Sequence, residues 1–509
     1  MKFLRLIFSR FFLSAILFLS QIALIWGFLT VFQFRYLPFQ VVWSLISVVM
    51  VVIIVNRRET PEYKLPWLFL VMFFPLFGTL LFILYAHPGM KPRDKRALAA
   101  VHHKIDPFVA HDPAKEEAIK EFLGKRQGLE TYLSSTAHLS GDLSSRVTYL
   151  PDGESFLEQL LADLERAESF IFLEYFIISP GKMWDAIHEV LIKKVNEGVE
   201  VRILYDDIGS ATKLPANFYK TLRREGIGCY KFNPFRPFVT NIFNNRDHRK
   251  IAVIDGKVGY TGGHNFGDEY INEDHRLGYW KDTGLRIEGG AVKNLTVLFL
   301  SSYDMTAKQL SDYGKYLSVP VESFEGEGYV HPFGDGPKPY YAEQIGKGNF
   351  INLIGQAKKY VYITTPYLIM DYSLTEALRN AAMRGVEVRI FTPGIPDKKL
   401  VYSMTRASYP FLLESGVRIF EFTPGFLHAK MLVTDDEAAF VGTINFDYRS
   451  LTHHYECGAL LCKTPCIKEI KKDFEKIKEA SEEVFLKSKK TTKAGRIVTA
   501  VFQMFAPLL

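Results

Sequence analysis

The sequence predicts an α/β protein of two duplicated lobes, each a mixed β-sheet flanked by helices, carried behind N-terminal transmembrane helices. Three observations predict it. Apolar residues, 48% of the 509, crowd into the first 86 positions instead of spreading evenly. The hexapeptide Gly-Val-Glu-Val-Arg-Ile occurs twice, at 198–203 and 385–390. A His-x-Lys-x4-Asp pattern follows each copy, at 248–255 and 428–435.

The front of the chain, 1–86, carries three apolar segments, at 11–32, 39–55 and 67–85. A helix crossing a bilayer needs roughly 17 to 20 such residues, so two or three spans are expected. The first is too long for a signal peptide core and lacks a small-x-small cleavage site. Trp26, Trp43 and Trp67 are candidates for interface aromatics. Lys and Arg counts place the N-terminus and the Arg57–Arg58–Lys64 loop inside. Three spans would then send the following residues outside, yet Lys91, Arg93, Lys95 and Arg96 prefer the inside. One segment lying in the interface or re-entering removes the contradiction and leaves a cytoplasmic body.

A helical linker is expected at 87–140, then a first lobe at 141–325 and a second at 326–486. In each lobe an apolar β-branched and aromatic run, Phe-Ile-Phe-Leu-Glu-Tyr or Tyr-Val-Tyr-Ile-Thr-Thr, precedes the hexapeptide. Such runs read as strands buried between helices. Phe156, Leu160, Leu161 and Leu164 have helical spacing, and Gly198 and Gly385 sit where helices stop. The tail, 487–509, follows a lysine cluster with an apolar stretch. It suits an interfacial anchor or a helix packed on the rest of the chain.

Net charge is only +6, which argues against a nucleic-acid protein with a broad basic field. Basic clusters flank the apolar ends instead, as anionic lipid headgroups favour. The four cysteines, Cys229, Cys457, Cys462 and Cys466, make neither a disulfide scaffold nor a paired zinc set. No metal ligand set and no cofactor motif is found.

The duplicated constellation is His248-Arg-Lys250, Asp255, Gly262-Gly263-His-Asn265 and His428-Ala-Lys430, Asp435, Gly442-Thr443-Ile-Asn445, with identical spacing. One copy is a weak signal, whereas two in matching positions are strong. Residues i and i+2 of a strand share a face, so each His projects with its Lys. Two imidazoles and two ammonium groups around one point suit a phosphodiester. Lysine and asparagine stabilise charge on phosphoryl oxygens, one imidazole attacks phosphorus and the other protonates the leaving oxygen. Asn265, Asn445 and the Thr443 hydroxyl are the expected phosphate contacts. Asp282, 34 residues after His248, and Glu456, 28 after His428, are the expected carboxylates orienting the imidazoles. Asp255 and Asp435 complete the catalytic motifs, although their parity, opposite to the lysines, favours a turn or ion-pair role. His264, His275, His453 and His454 read as ordinary core or surface histidines.

These motifs resemble those of the phospholipase D, or HKD, superfamily. Asn56-Arg-Arg-Glu-Thr-Pro-Glu-Tyr, Asp206-Asp-Ile-Gly-Ser210, Asn245-Arg-Asp-His-Arg-Lys250 and Asn445-Phe-Asp-Tyr-Arg-Ser450 narrow the likeness to bacterial cardiolipin synthases. The resemblance implies a multi-pass bacterial cell-membrane enzyme that joins two phosphatidylglycerols through a phosphatidyl-histidine, with His248 as nucleophile and His428 as acid, then base. It implies phosphatidylglycerol and other anionic lipids as partners, no nucleic acid, and leaves an oligomer open. Water or another alcohol as acceptor, and a membrane-tethered nuclease, are the alternatives. Gly263 and Thr443 depart from a serine found in many members, and one apolar segment is additional.

Overall fold

The computed structural model describes residues 37–86, 92–109, 112–234, 245–486, 500 and 502–508. The expected span at 11–32 and the basic residues at 487–493 lie outside them. The described residues fall into two compact units.

One unit holds the helices Leu37–Val55, Pro61–Phe73 and Pro75–Tyr85 and the short turn Ala506–Leu508. Among the described residues no helix is long and apolar enough to cross a membrane. The segment at 67–85, expected as one span, is broken at Phe74 (φ −132°, ψ 69°). The cause is Pro75, which disfavours helical backbone in the residue before it. The two pieces fold on each other so closely that a Cβ on Gly78 would lie 2.3 Å from the Leu70 carbonyl oxygen. Arg57 donates to the Ala86 carbonyl at 2.8 Å, so the chain leaves this hairpin where it enters. Trp67, expected at an interface, is buried edge-on against Phe82 at 5.5 Å. From the tail, Phe505 packs edge-on against Phe69 at 5.9 Å.

The other unit contains both lobes. The first sheet runs, in spatial order, Ser145–Leu150, Gly284–Gly289, Val258–Gly262, Lys250–Ile254, Phe170–Tyr175, Glu200–Asp206 and Gly228–Phe232. The second runs Tyr329–Asp335, Glu456–Cys462, Ala438–Gly442, Met431–Thr434, Tyr360–Thr364, Glu387–Pro393 and Arg418–Phe422, then adds Ser481–Val484. The orders match strand for strand. The three strands beginning at Phe170, and the three beginning at Tyr360, are mutually parallel, and the other pairings are antiparallel. The hexapeptides supply Glu200–Asp206 and Glu387–Pro393, each after a helix ended by a glycine with φ 91°.

Strand periodicity sorts side chains between cores. Phe170 and Phe172, like Tyr360 and Tyr362, enter a shared core between the sheets, together with the helix Val292–Ala307. Ile171 and Leu173 point the other way into the first lobe's outer core, and Val361 and Ile363 into the second's. At about 25 cal/mol per Å² of apolar surface, the shared core joins the lobes firmly. It fixes the starts of the two interior strands that the histidines precede.

Candidate active site

His248 and His428 lie just before their strands, which begin at Lys250 and Met431, rather than inside them as the pattern suggested. Each is held by the opposite lobe. The His428 N–H donates to the Lys281 carbonyl at 2.7 Å, and the His248 N–H donates to the Tyr455 carbonyl at 2.8 Å. Gly425–Leu427 adds in parallel to Tyr279–Lys281, and Asp247 bridges Tyr455. In both cases the accepting residue immediately precedes an expected orienting carboxylate.

The consequence is a reciprocal exchange. Both carboxylate oxygens of Glu456 stand 2.9 Å from His248 Nδ1, and Asp282 Oδ2 stands 2.6 Å from His428 Nδ1. Each acid therefore serves the histidine of the other lobe, not the one that precedes it in sequence. A carboxylate at Nδ1 fixes the proton there and leaves Nε2 with a free lone pair.

Burial lowers both imidazoles to about 3, outweighing the neighbouring carboxylates, so both are neutral in the free enzyme. Burial would raise Glu456 and Asp282, but the imidazoles, with Lys430 beside Asp282, hold both well below the carboxylate range. Burial lowers Lys250 to about 8 and Lys430 to about 7 against the pull of Glu456 and Asp282. That each lysine senses both carboxylates places the four charged groups around one point. The Lys250 ammonium donates to the His248 carbonyl at 2.5 Å, and Lys430 donates to that of His428.

Other expected residues take different positions. Asp255 and Asp435 are corrected from the catalytic set to structural braces. Asp255 accepts from the N–H groups of Glu168, Ser169 and Phe170 at 2.7–2.8 Å. Asp435 accepts from Lys358, Lys359 and Tyr360 at 2.8–3.1 Å and from Arg126 at 3.2 Å. Both turn away because their parity is opposite to the lysines, and left-handed backbone (φ 53° and 57°) ends each strand there. Thr443 does not face the phosphate position: its hydroxyl donates to Glu456. The matching Gly263 leaves room for Asp282, whose Oδ1 would lie 1.9 Å from a Cβ there. Asn265 is spent on the Ile177 N–H at 3.0 Å and the Tyr270 hydroxyl at 2.6 Å, and Tyr270 meets the His428 ring edge-on at 5.5 Å. Asn445 is buried, with no hydrogen-bond partner for its Oδ1 among the described residues.

Of the histidines read as ordinary, His264 is a packed core residue as expected, whereas His454 stands beside the site. His264 stacks on Phe156 at 4.6 Å, and neither ring nitrogen has a hydrogen-bond partner among the described residues. His454 lies 5.5 Å from the His248 ring, centre to centre. No sequence signal pointed to it, because its neighbour in space is about 200 positions away.

Two buried imidazoles, each primed by a carboxylate and flanked by an ammonium, can split a phosphodiester in two displacements. The comparisons agree with that chemistry. The family profile described as "Cardiolipin synthase, PLD-like domain" matches residues 160–280 and 350–478. An uncharacterized protein of Streptococcus mutans serotype c is 40% identical over 461 residues, covering 90% of this chain and 99% of that one. A cardiolipin synthase of Geobacillus sp. (strain WCH70) is 35% identical over 474 residues, covering 92% of each. The crystal structure of phosphatidylserine synthase from Haemophilus influenzae Rd KW20 shares the fold, with TM-score 0.58 and 15% identity over 76% of this chain and 98% of that one. Duplicated sheets, reciprocal His–carboxylate pairs and near full-length similarity together show that the chain belongs to the cardiolipin synthase family of phospholipase D-like proteins.

Proposed function

We propose that this enzyme transfers a phosphatidyl group from one phosphatidylglycerol to another, releasing glycerol and forming cardiolipin. The observation that carries the chemistry is the pair of reciprocal His–carboxylate contacts at one buried point. With neutral imidazoles, two lysines and two carboxylates the centre has no net charge. A bound phosphodiester anion draws one proton onto an imidazole, which supplies the general acid. His248 Nε2 attacks phosphorus, the bond to the glycerol oxygen breaks, and His428 protonates that oxygen. His428 then takes the proton of the second lipid's glycerol hydroxyl, whose oxygen displaces His248. Lys250 and Lys430 stabilise the charge that grows on the phosphoryl oxygens. The assignment of His248 as nucleophile follows the family resemblance.

The test is incubation in mixed micelles with phosphatidylglycerol alone, measuring cardiolipin, phosphatidic acid and glycerol. Equal cardiolipin and glycerol, absent with His248→Ala, is the expected result. Phosphatidic acid instead would make water the acceptor. Mass spectrometry of the wild-type enzyme, quenched during turnover, should find the phosphatidyl adduct on His248, and an adduct on any other residue reverses the assignment.

The same reading makes this a multi-pass protein of the bacterial cell membrane with a cytoplasmic body. Leu45, Val48, Met72, Phe73 and Ile83 present large apolar side chains outward, as lipid-facing helices do. The contact between Arg57 and Ala86 suits a re-entrant hairpin that begins and ends on one face. Membrane crossing by the apolar segments at 11–32 and 39–55 would put all the basic clusters inside. Single cysteines at Arg58 and Asp94 should both react with an impermeant thiol reagent only in opened cells. Labelling of the Asp94 site in intact cells would reject this topology.

A further inference from the structure

We infer that His454, His248 and Glu456 form a binding site for a divalent transition ion of the zinc class, and that the ion switches the enzyme off. The inference rests on the proposed function only for its inhibitory consequence, because binding itself needs no lipid. One ligand atom from each residue lies within 4.8 Å of the other two. Zinc with bonds of about 2.0–2.1 Å holds its ligands roughly 3.3 Å apart in a tetrahedron. His454 Nδ1 is 3.6 Å from Glu456 Oε1, and His248 Nδ1 is 2.9 Å from it. Small side-chain rotations therefore bring all three onto one ion, with a fourth position left for water.

The unexplained feature is His454. It is 8% exposed, and among the described residues neither ring nitrogen makes a hydrogen bond, Nδ1 standing 3.6 Å from Glu456 Oε1. A buried imidazole left just outside hydrogen-bond reach of a carboxylate is under-satisfied unless an ion sits between the two. The other half of the site lacks this arrangement. Trp280, two positions before Asp282 as His454 is two before Glu456, lies over His428 at 5.3 Å, and an indole offers no ligand lone pair. The site is therefore one-sided and engages only the first motif.

Inhibition follows from the tautomer. With Nδ1 bonded to Glu456, His248 carries its proton there and presents the Nε2 lone pair to phosphorus. An ion on Nδ1 moves that proton to Nε2 and removes the attacking lone pair, with no change in the number of protons bound.

The test compares wild type, His454→Gln and His454→Asn, all in micelles after chelator treatment. Zinc binding is measured by calorimetry, and cobalt(II) is used as a visible-absorption probe of coordination. Wild type should bind one equivalent, show the intense absorption of a four-coordinate cobalt site, and lose at least 10-fold in cardiolipin formation, recovered with EDTA. At least one variant should keep metal-free activity, which reports an intact fold, and lose both the binding and the sensitivity. Equal binding in an active variant would mean an adventitious ion only and overturn the site. Binding without inhibition would overturn the switch. Binding lost in the variants while wild type makes no cardiolipin even without metal would leave the site standing and sink the functional reading instead.

Discussion

Glu456 follows His248 by 208 positions, yet both its carboxylate oxygens stand 2.9 Å from that histidine's Nδ1. Asp282 and His428 repeat the relation across the same interface at 2.6 Å. Glu456→Gln should lower kcat about 100- to 10,000-fold with little change in KM, since the imidazole loses its tautomer and not its ligand. Histidine-labelled NMR checks the pairing. Glu456→Gln should move the His248 ring signals and spare those of His428, with the reverse for Asp282→Asn. Same-lobe effects would contradict the exchange.

Thr443 is the hydroxyl that steadies Glu456. Thr443→Ala should lower kcat by about 10-fold, the worth of one hydrogen bond to a charged group. Thr443→Ser should restore it, and KM for phosphatidylglycerol should hold in both. A rise in KM alone would return this residue to direct phosphate binding.

Burial brings Lys430 to about 7 and Lys250 to about 8, and a lysine is charged below its pKa. The kcat/KM for phosphatidylglycerol should therefore fall as pH rises through about 7 to 8, well below an ordinary lysine. Lys430→Arg, permanently charged, should push the fall to higher pH at some cost in rate. An alkaline limb that does not move would remove Lys430 from the profile.

Asp435 accepts three backbone N–H bonds on the far side of its strand. Asp435→Ala should cost about 3 kcal/mol of stability while the folded fraction keeps its kcat. The backbone bonds and Arg126 hold this carboxyl below its ordinary value, against burial, which pushes the other way. Its contribution is thus present above the unfolded pKa of about 3.9 and is lost as pH falls through the lowered one. Thermal melts of both proteins from pH 6 down to 3 should converge. A wild-type melting temperature paired with a lost kcat would make this residue catalytic after all.

The duplication made most of this legible in the sequence. Identical spacing around His248 and His428 located the chemistry, and strand periodicity assigned the buried faces of 170–175 and 360–364. What it hid is contact between segments about 150 to 210 positions apart. Spacing within a repeat pointed to Asp282 as the follower of His248, whereas the short parallel pairing of Gly425–Leu427 with Tyr279–Lys281 hands it to His428. Asn265 looked identical to Asn445 until Ile177 and Tyr270 were seen to occupy it. The segment at 67–85 read as one span because hydropathy does not register a single proline.

The exchanged carboxylates mean that neither lobe is a working unit. Each half carries one buried histidine, together with the carboxylate that orients its neighbour's. A lone ancestral half would have gained activity only as a self-paired dimer, each copy lending its acid to the other. The connection near residues 318–328 is in that light a tether that keeps partners together rather than a part of the machine. Two fragments cut there and produced in one cell should reassemble into an active enzyme.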